Sequence, residues 1–270
     1  MPIMLEPDIR QRMPVVFGPM PGPRQTLDGG RYADPTALVE SYAATFLTER
    51  AAVERLLPAC FVLDGEPLVT IEFSYMSELE WLAGRGYNTL GVSVPVRYAG
   101  PRETARGPFL LLLWENKADP IITGREELGF AKLFCEIHPP RKLGARRLCS
   151  ASWEGHCFLE LEAADLVEQA PPPAPAADGI LHYRYIPRVG APGFADFEGP
   201  VIGPRAGPVE WQHYATGAGC ARFITSTWEQ LPTLVHIVNT LAALPVLENR
   251  GATFRRVRRD VEQAGQRILD

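Results

Sequence analysis

The chain has 270 residues, 46% of them hydrophobic and 22% charged, with a net charge of −5. That is the composition of an ordinary globular protein, long enough to bury a sizeable core. The acidic balance argues against bulk nucleic-acid binding, which favours a basic stripe, and no run approaches the roughly 18 apolar residues that a membrane span requires.

Proline (26) and glycine (24) are abundant, which favours many turns and a strand-rich fold. Five cysteines are scattered without CxxC spacing. The first residues are broken by Pro2 and Pro7 and lack an apolar signal core, so reduced thiols in a cytoplasm are expected.

In chain order, residues 1–35 read as an extended arm over the surface or a neighbouring subunit, and 36–270 as a single domain. Residues 37–46 are ambiguous, since Ala, Leu and Glu favour helix. Residues 48–57 read as a helix with Thr48 as N-cap, stopped by Pro58. Strands are expected at 67–75, 88–98 and 107–116, and either a short helix or a strand edge at 129–136. Residues 148–161 suit a hairpin turning at Glu154-Gly155. The stretch 169–178, QAPPPAPAAD, favours polyproline II and reads as an exposed loop inside the domain. Further strands are expected at 181–188, 209–216 and 221–227, with GAGC at 217–220 as a turn. Residues 231–243 have helical spacing, with His236 read as a core histidine. Residues 254–268 place Phe254, Val257, Val261 and Ile268 roughly on one face. Arg255, Arg256, Arg258 and Arg259 lie beside them as a solvated basic face or an oligomer contact.

One residue stands out chemically. Only three of the 27 basic residues are lysines, and Lys132 alone has apolar neighbours, Phe130-Ala131 and Leu133-Phe134-Cys135. Desolvation disfavours an ammonium and lowers its pKa from about 10.4. A neutral amine can attack a carbonyl and form a Schiff base. The same context also permits a snorkelling lysine with its head in water. Glu72, on an apolar strand, is the second candidate. It would either steer protons at an imine or pair with Arg125. The five histidines lack HxxxH and HxH spacing, so no metal site is expected. With no P-loop, no GxGxxG before a helix and no GxSxG elbow, no cofactor is expected either.

Gly124-Arg125-Glu126, followed by Phe130-Ala131-Lys132-Leu133, resembles the acetoacetate decarboxylase family, in which such a lysine forms the Schiff base. Residues 66–73, Val94-Pro95-Val96, 181–187 and 228–237 resemble further elements in the same order. The resemblance implies an α+β fold: a large, mostly antiparallel sheet curled into a barrel-like core with a few helices, and strand at 37–46. It implies a lyase acting on a small keto acid, with Lys132 as nucleophile, Glu72 managing protons, and Arg125 and Thr89 binding substrate. A homo-oligomer is expected. The chain departs from the family pattern at Leu133, where the decarboxylases have a second lysine, and at Thr89, where they have a glutamate. Ala131 replaces a proline, and the family's N-terminal arginine has no clear match. Those changes keep the imine chemistry and lean towards aldol condensation with dehydration beside decarboxylation. A non-catalytic small-acid binder of the same fold is the alternative.

Overall fold

A period of two in burial marks the chain's entry into the fold: Ala37, Val39 and Ser41 are buried, while Thr36, Leu38 and Glu40 are partly exposed. The computed structural model describes residues 8–173, 176–204, 207–261 and 265–270. Its elements in order are β1 (Thr36–Leu47), α1 (Arg50–Glu54), β2 (Phe61–Leu63), β3 (Leu68–Leu79), β4 (Arg85–Ala99) and β5 (Thr104–Glu115). Then come α2 (Ala118–Thr123), a π-helical turn (Gly124–Leu128), β6 (Lys132–Phe134), β7 (Glu136–Ile137) and β8 (Arg141–Leu143). The remainder is β9 (Arg146–Trp153), β10 (His156–Glu168), β11 (Gly179–Pro187), β12 (Ala195–Pro204), β13 (Val209–Phe223), α3 (Val235–Ala242), β14 (Glu248–Asp260) and β15 (Arg267–Ile268).

The strands form one sheet in the order β15-β12-β11-β5-β4-β3-β1-β14-β13-β10-β9-β7. Pairing is antiparallel except at β11·β5 and β5·β6. The sheet curls. Trp114 on β5 lies 5.3 Å from Phe158 on β10, although five strands separate them along the sheet. Strand pairing does not close the curl. Instead the chain crosses the gap: β6 pairs with β5, and β7, one residue later, pairs with β9. The Asn88 side-chain amide of β4 donates to the Ile137 carbonyl across that seam at 3.0 Å.

One face of the central strands is apolar. Ile71, Phe73, Leu90, Val92 and Trp114 are buried there, and α3 with the residue before it adds Leu234, Val238 and Leu241. Each such side chain contributes roughly 1.5–3 kcal/mol of burial. The opposite face carries a polar row. Arg255, Ser41, Ser74, Thr89 and Glu115 are successive cross-strand partners on β14, β1, β3, β4 and β5.

The barrel-like curl of a mostly antiparallel sheet agrees with the sequence reading, and the ambiguous stretch 37–46 is strand. Several local expectations do not hold. Thr48 is no N-cap: its N–H donates to the Pro67 carbonyl, continuing the strand pairing, and the helix starts later at Arg50. GAGC is not a turn but the middle of β13. Glycine is needed there because a Cβ at Gly219 would collide with Ala252, and one at Gly217 with the Ala164 carbonyl. His236 is exposed, and His182 is the buried histidine. The arginines of 255–259 form no single basic face. They lie on a strand, so Arg255 and Arg259 point to one side and Arg256 and Arg258 to the other. Arg256 pairs there with Glu40, and Arg258 with Glu78. The Glu154-Gly155 turn forms as expected, with both residues at positive φ. Of the Pro-rich stretch, residues 174 and 175 lie outside the described residues, as do 1–7 of the N-terminal arm; 169–173 are exposed.

Candidate active site

Lys132 opens the short strand β6, beside Leu113 of β5 in parallel register. That register brings its side chain to Glu115, two residues further along β5. The Lys132 Nζ lies 2.8 Å from Glu115 Oε1 and donates to the Pro120 carbonyl at 2.9 Å. Both side chains are nearly inaccessible, with 8% of Lys132 and 1% of Glu115 exposed. Glu115 Oε2 is buried and has no hydrogen-bond partner among the described residues.

The local sequence explains the enclosure. The turn Gly124–Leu128 packs so tightly on the lysine stem that a Cβ at Gly124 would collide with it. Gly129, at φ 78°, ends the turn, and the Phe130 ring then lies 5.7 Å from Nζ. His182 stacks on Phe130 at 4.3 Å, and its Nε2–H donates to the Leu128 carbonyl at 3.0 Å. Burial lowers the His182 pKa to about 4, so the ring is neutral.

Burial works on the central pair from both sides. It pushes the Lys132 amine below its ordinary value and the Glu115 carboxyl above its own. Each partner's charge opposes that shift, and the nearby Arg24 guanidinium lowers Lys132 further. Amine plus carboxylic acid thereby approaches ammonium plus carboxylate in free energy, and one proton can pass between them.

Arg24 comes from the N-terminal segment. Glu127 holds it, at 2.9 Å, together with Arg12 at 2.8 Å. The described part of the arm, from residue 8, is thus tied to the lysine's own turn rather than merely laid over a surface.

The other expected site residues fall as follows. Glu72 does not pair with Arg125. It accepts from Arg255 at 2.6 Å and from Ser74 at 3.2 Å, and 32% of its side chain is exposed. Arg125 donates to the Lys132 carbonyl at 2.8 Å, fixing the backbone of β6. Thr89 lies between Ser74 and Glu115 in the polar row. Lys132 thus meets Glu115, which the sequence reading left as the end of an expected strand, and feels the charge of Arg24, which it left in the arm. Among the described residues no three His, Cys, Asp or Glu side chains cluster as a metal site. No helix there is long and apolar enough to cross a membrane.

A buried lysine paired with a carboxylate on a curled, unclosed sheet is a specific enough pattern to compare. The model of the acetoacetate decarboxylase family matches residues 12–260. The chain belongs to that family. Its fold is that of an acetoacetate decarboxylase structure at TM-score 0.72, with 14% identity over 98% of both chains. The acetoacetate decarboxylase of Legionella pneumophila gives 0.69 at 17% identity, over 99% of this chain and 98% of that one. The enduracididine biosynthesis enzyme MppR, solved with the condensation product of pyruvate and imidazole 4-carboxaldehyde, gives 0.67 at 17% identity over 87% and 88%. The fold is thus shared with acetoacetate decarboxylases and with an enzyme solved with a pyruvate condensation product. No curated protein matches the chain in sequence.

Proposed function

We propose that this family member is a cofactor-independent lyase in which Lys132 forms a Schiff base with a small keto acid. The observation that carries the reading is the isolated Lys132–Glu115 pair, buried and 2.8 Å apart. Glu115 takes a proton from the ammonium, and the neutral amine adds to the keto carbon. The former carbonyl oxygen takes up two protons and leaves as water, one of them returned by Glu115, and an iminium remains. The iminium then draws in the electrons of an adjacent bond. A β-keto acid loses carbon dioxide, and a 2-oxo acid loses a proton from the carbon next to the imine. The enamine so formed is either protonated or adds to an aldehyde and loses water. Hydrolysis frees Lys132.

Both outcomes are known among the structural relatives: one is a decarboxylase, and MppR was solved with a pyruvate condensation product. Leu133 and Thr89 favour the condensation. Arg24, whose charge reaches Lys132, is placed to attract the substrate carboxylate. Glu72 is set apart from the amine by its Arg255 pairing, so its proposed part is at the distal end of the substrate.

Borohydride trapping with pyruvate and with acetoacetate tests this. A reduced adduct mapped to Lys132, and missing in Lys132→Ala, is the expected result. A folded protein that yields no adduct with either acid is instead a binding protein in which Lys132 serves as counter-ion. The rate of trapping should rise with pH along a limb that lies below the ordinary lysine value of about 10.4, because the lowered pKa frees the amine earlier.

A further inference from the structure

The charges on the polar face of the sheet do not balance. Glu115 meets Lys132, Glu72 meets Arg255, and Glu127 serves both Arg12 and Arg24. Arg259, two rows along β14 from Arg255 on the same face, has no side-chain hydrogen bond or ion pair among the described residues. It is half-buried. Arg255 presses on it as a like charge, with Glu72, Asp260 and the Tyr87 phenol also nearby.

Tyr87 connects that arginine to the lysine. Its phenol lies among the charges of Glu115, Arg24 and Arg259, and burial raises its pKa so that it stays a neutral donor. Its hydroxyl likewise has no hydrogen-bond partner among the described residues. Val39, Met76 and Val257 form an apolar patch against which Tyr87 packs. The face thus runs from an amine, past a phenol, to a guanidinium, over an apolar floor. Among the described residues, Lys132, Arg12, Arg24, Arg255 and Arg259 meet the charges of Glu72, Glu115, Glu127 and Asp260, five cations to four carboxylates. A half-buried guanidinium whose fork binds no carboxylate among the described residues is costly, and that planar fork suits a carboxylate. This excess of positive charge sits in a chain whose net charge is −5.

We propose that Arg259 and the Tyr87 hydroxyl form a second anion subsite, so that the substrate is a keto acid bearing a second carboxylate at its far end. The keto group's place at Lys132 rests on the function proposed above; the subsite itself does not.

Glutarate and butyrate cannot form an imine, so their binding tests the subsite alone. By titration calorimetry the wild-type protein should bind glutarate about tenfold more tightly than butyrate, as one charged hydrogen-bonded contact would give. Lys132→Ala should keep that preference. Arg259→Gln should lose it, Arg259→Lys should keep part of it, and Tyr87→Phe should weaken it by a smaller factor. Melting curves of each variant establish that it is folded. Equal affinity for the two acids in the wild type would overturn the proposal, as would an undiminished preference in folded Arg259→Gln. A missing borohydride adduct with 2-oxoglutarate, in a protein that still prefers glutarate, would instead count against Schiff-base chemistry and leave the subsite standing.

Discussion

The two faces of β3, β4 and β5 share one backbone and solve opposite problems. Ile71, Phe73, Leu90, Val92 and Trp114 are each fully buried among apolar neighbours. One residue along, the side chains are Glu72, Ser74, Thr89, Gly91 and Glu115. On the first face burial is the source of stability. On the second it is a cost that every polar group offsets with a partner or a function. The difference shows where to look for chemistry in such a sheet: on the face whose charges are held against their solvation, not on the face that holds the fold.

Substitutions on the two faces should therefore separate activity from stability. Lys132→Met should have the largest effect, eliminating adduct formation in the mass spectrum while leaving the protein folded, since the Glu115 carboxyl, pushed up by burial and relieved of the lysine charge, takes a proton and stays neutral. Trp114→Ala should do the reverse, lowering unfolding free energy in denaturant titrations by about 3–5 kcal/mol while adducts still form in the folded fraction.

His182 joins the two faces, because it is a core residue that braces the turn before Lys132. Its folded pKa is depressed to about 4 from 6.5, so the unfolded chain binds its proton first as pH falls. Its contribution is present above about pH 6.5 and is lost between there and about pH 4, a loss of about 3 kcal/mol. Denaturant titrations at pH 7 and pH 4 should show that loss, and it should be absent from the pH dependence of His182→Gln. Glu72→Gln should have the smallest effect. Its pair with Arg255 is about one-third exposed on each side, so stability should change by less than about 1 kcal/mol. A larger stability loss would move Glu72 from the chemical face to the structural one.

Much of this division was legible in the sequence. The apolar runs of β3, β4 and β5 gave their positions to within a few residues, and the scarcity of lysine singled out Lys132. Glu115 was not legible. It closes the apolar run of the expected strand 107–116, where local pattern reads a carboxylate as the polar end of a strand. Only the parallel pairing of β5 with β6, across the intervening α2 and π-helical turn, brings it to the lysine. Arg24 was hidden for the same reason, because a proline-rich arm has no periodicity from which to infer contact. The strand through Gly217 and Gly219 was misread because glycine signals a turn locally. Here it admits a close backbone approach that exists only once β10 and β14 flank β13. The arginines of β14 were read as one basic face, and the two-residue period of a strand sorts them onto opposite sides.

The crossing from β6 to β7 gives Lys132 a particular history. In the unfolded chain it is an ordinary solvated amine. On the function proposed above, it becomes a nucleophile only once the segment from β6 to β7 crosses the gap between β5 and β9 and the N-terminal arm is tied to its turn. The contacts that brace its turn are of long range, Arg24 with Glu127 across 103 residues and Arg184 with Glu126 across 58, and such contacts form late because the chain must first close large loops. Reactivity at this lysine is therefore a reporter of completed assembly. A nascent or partly unfolded molecule would be inert towards the keto acids around it, and in a refolding experiment competence for trapping should return with the last phase rather than with the first collapse.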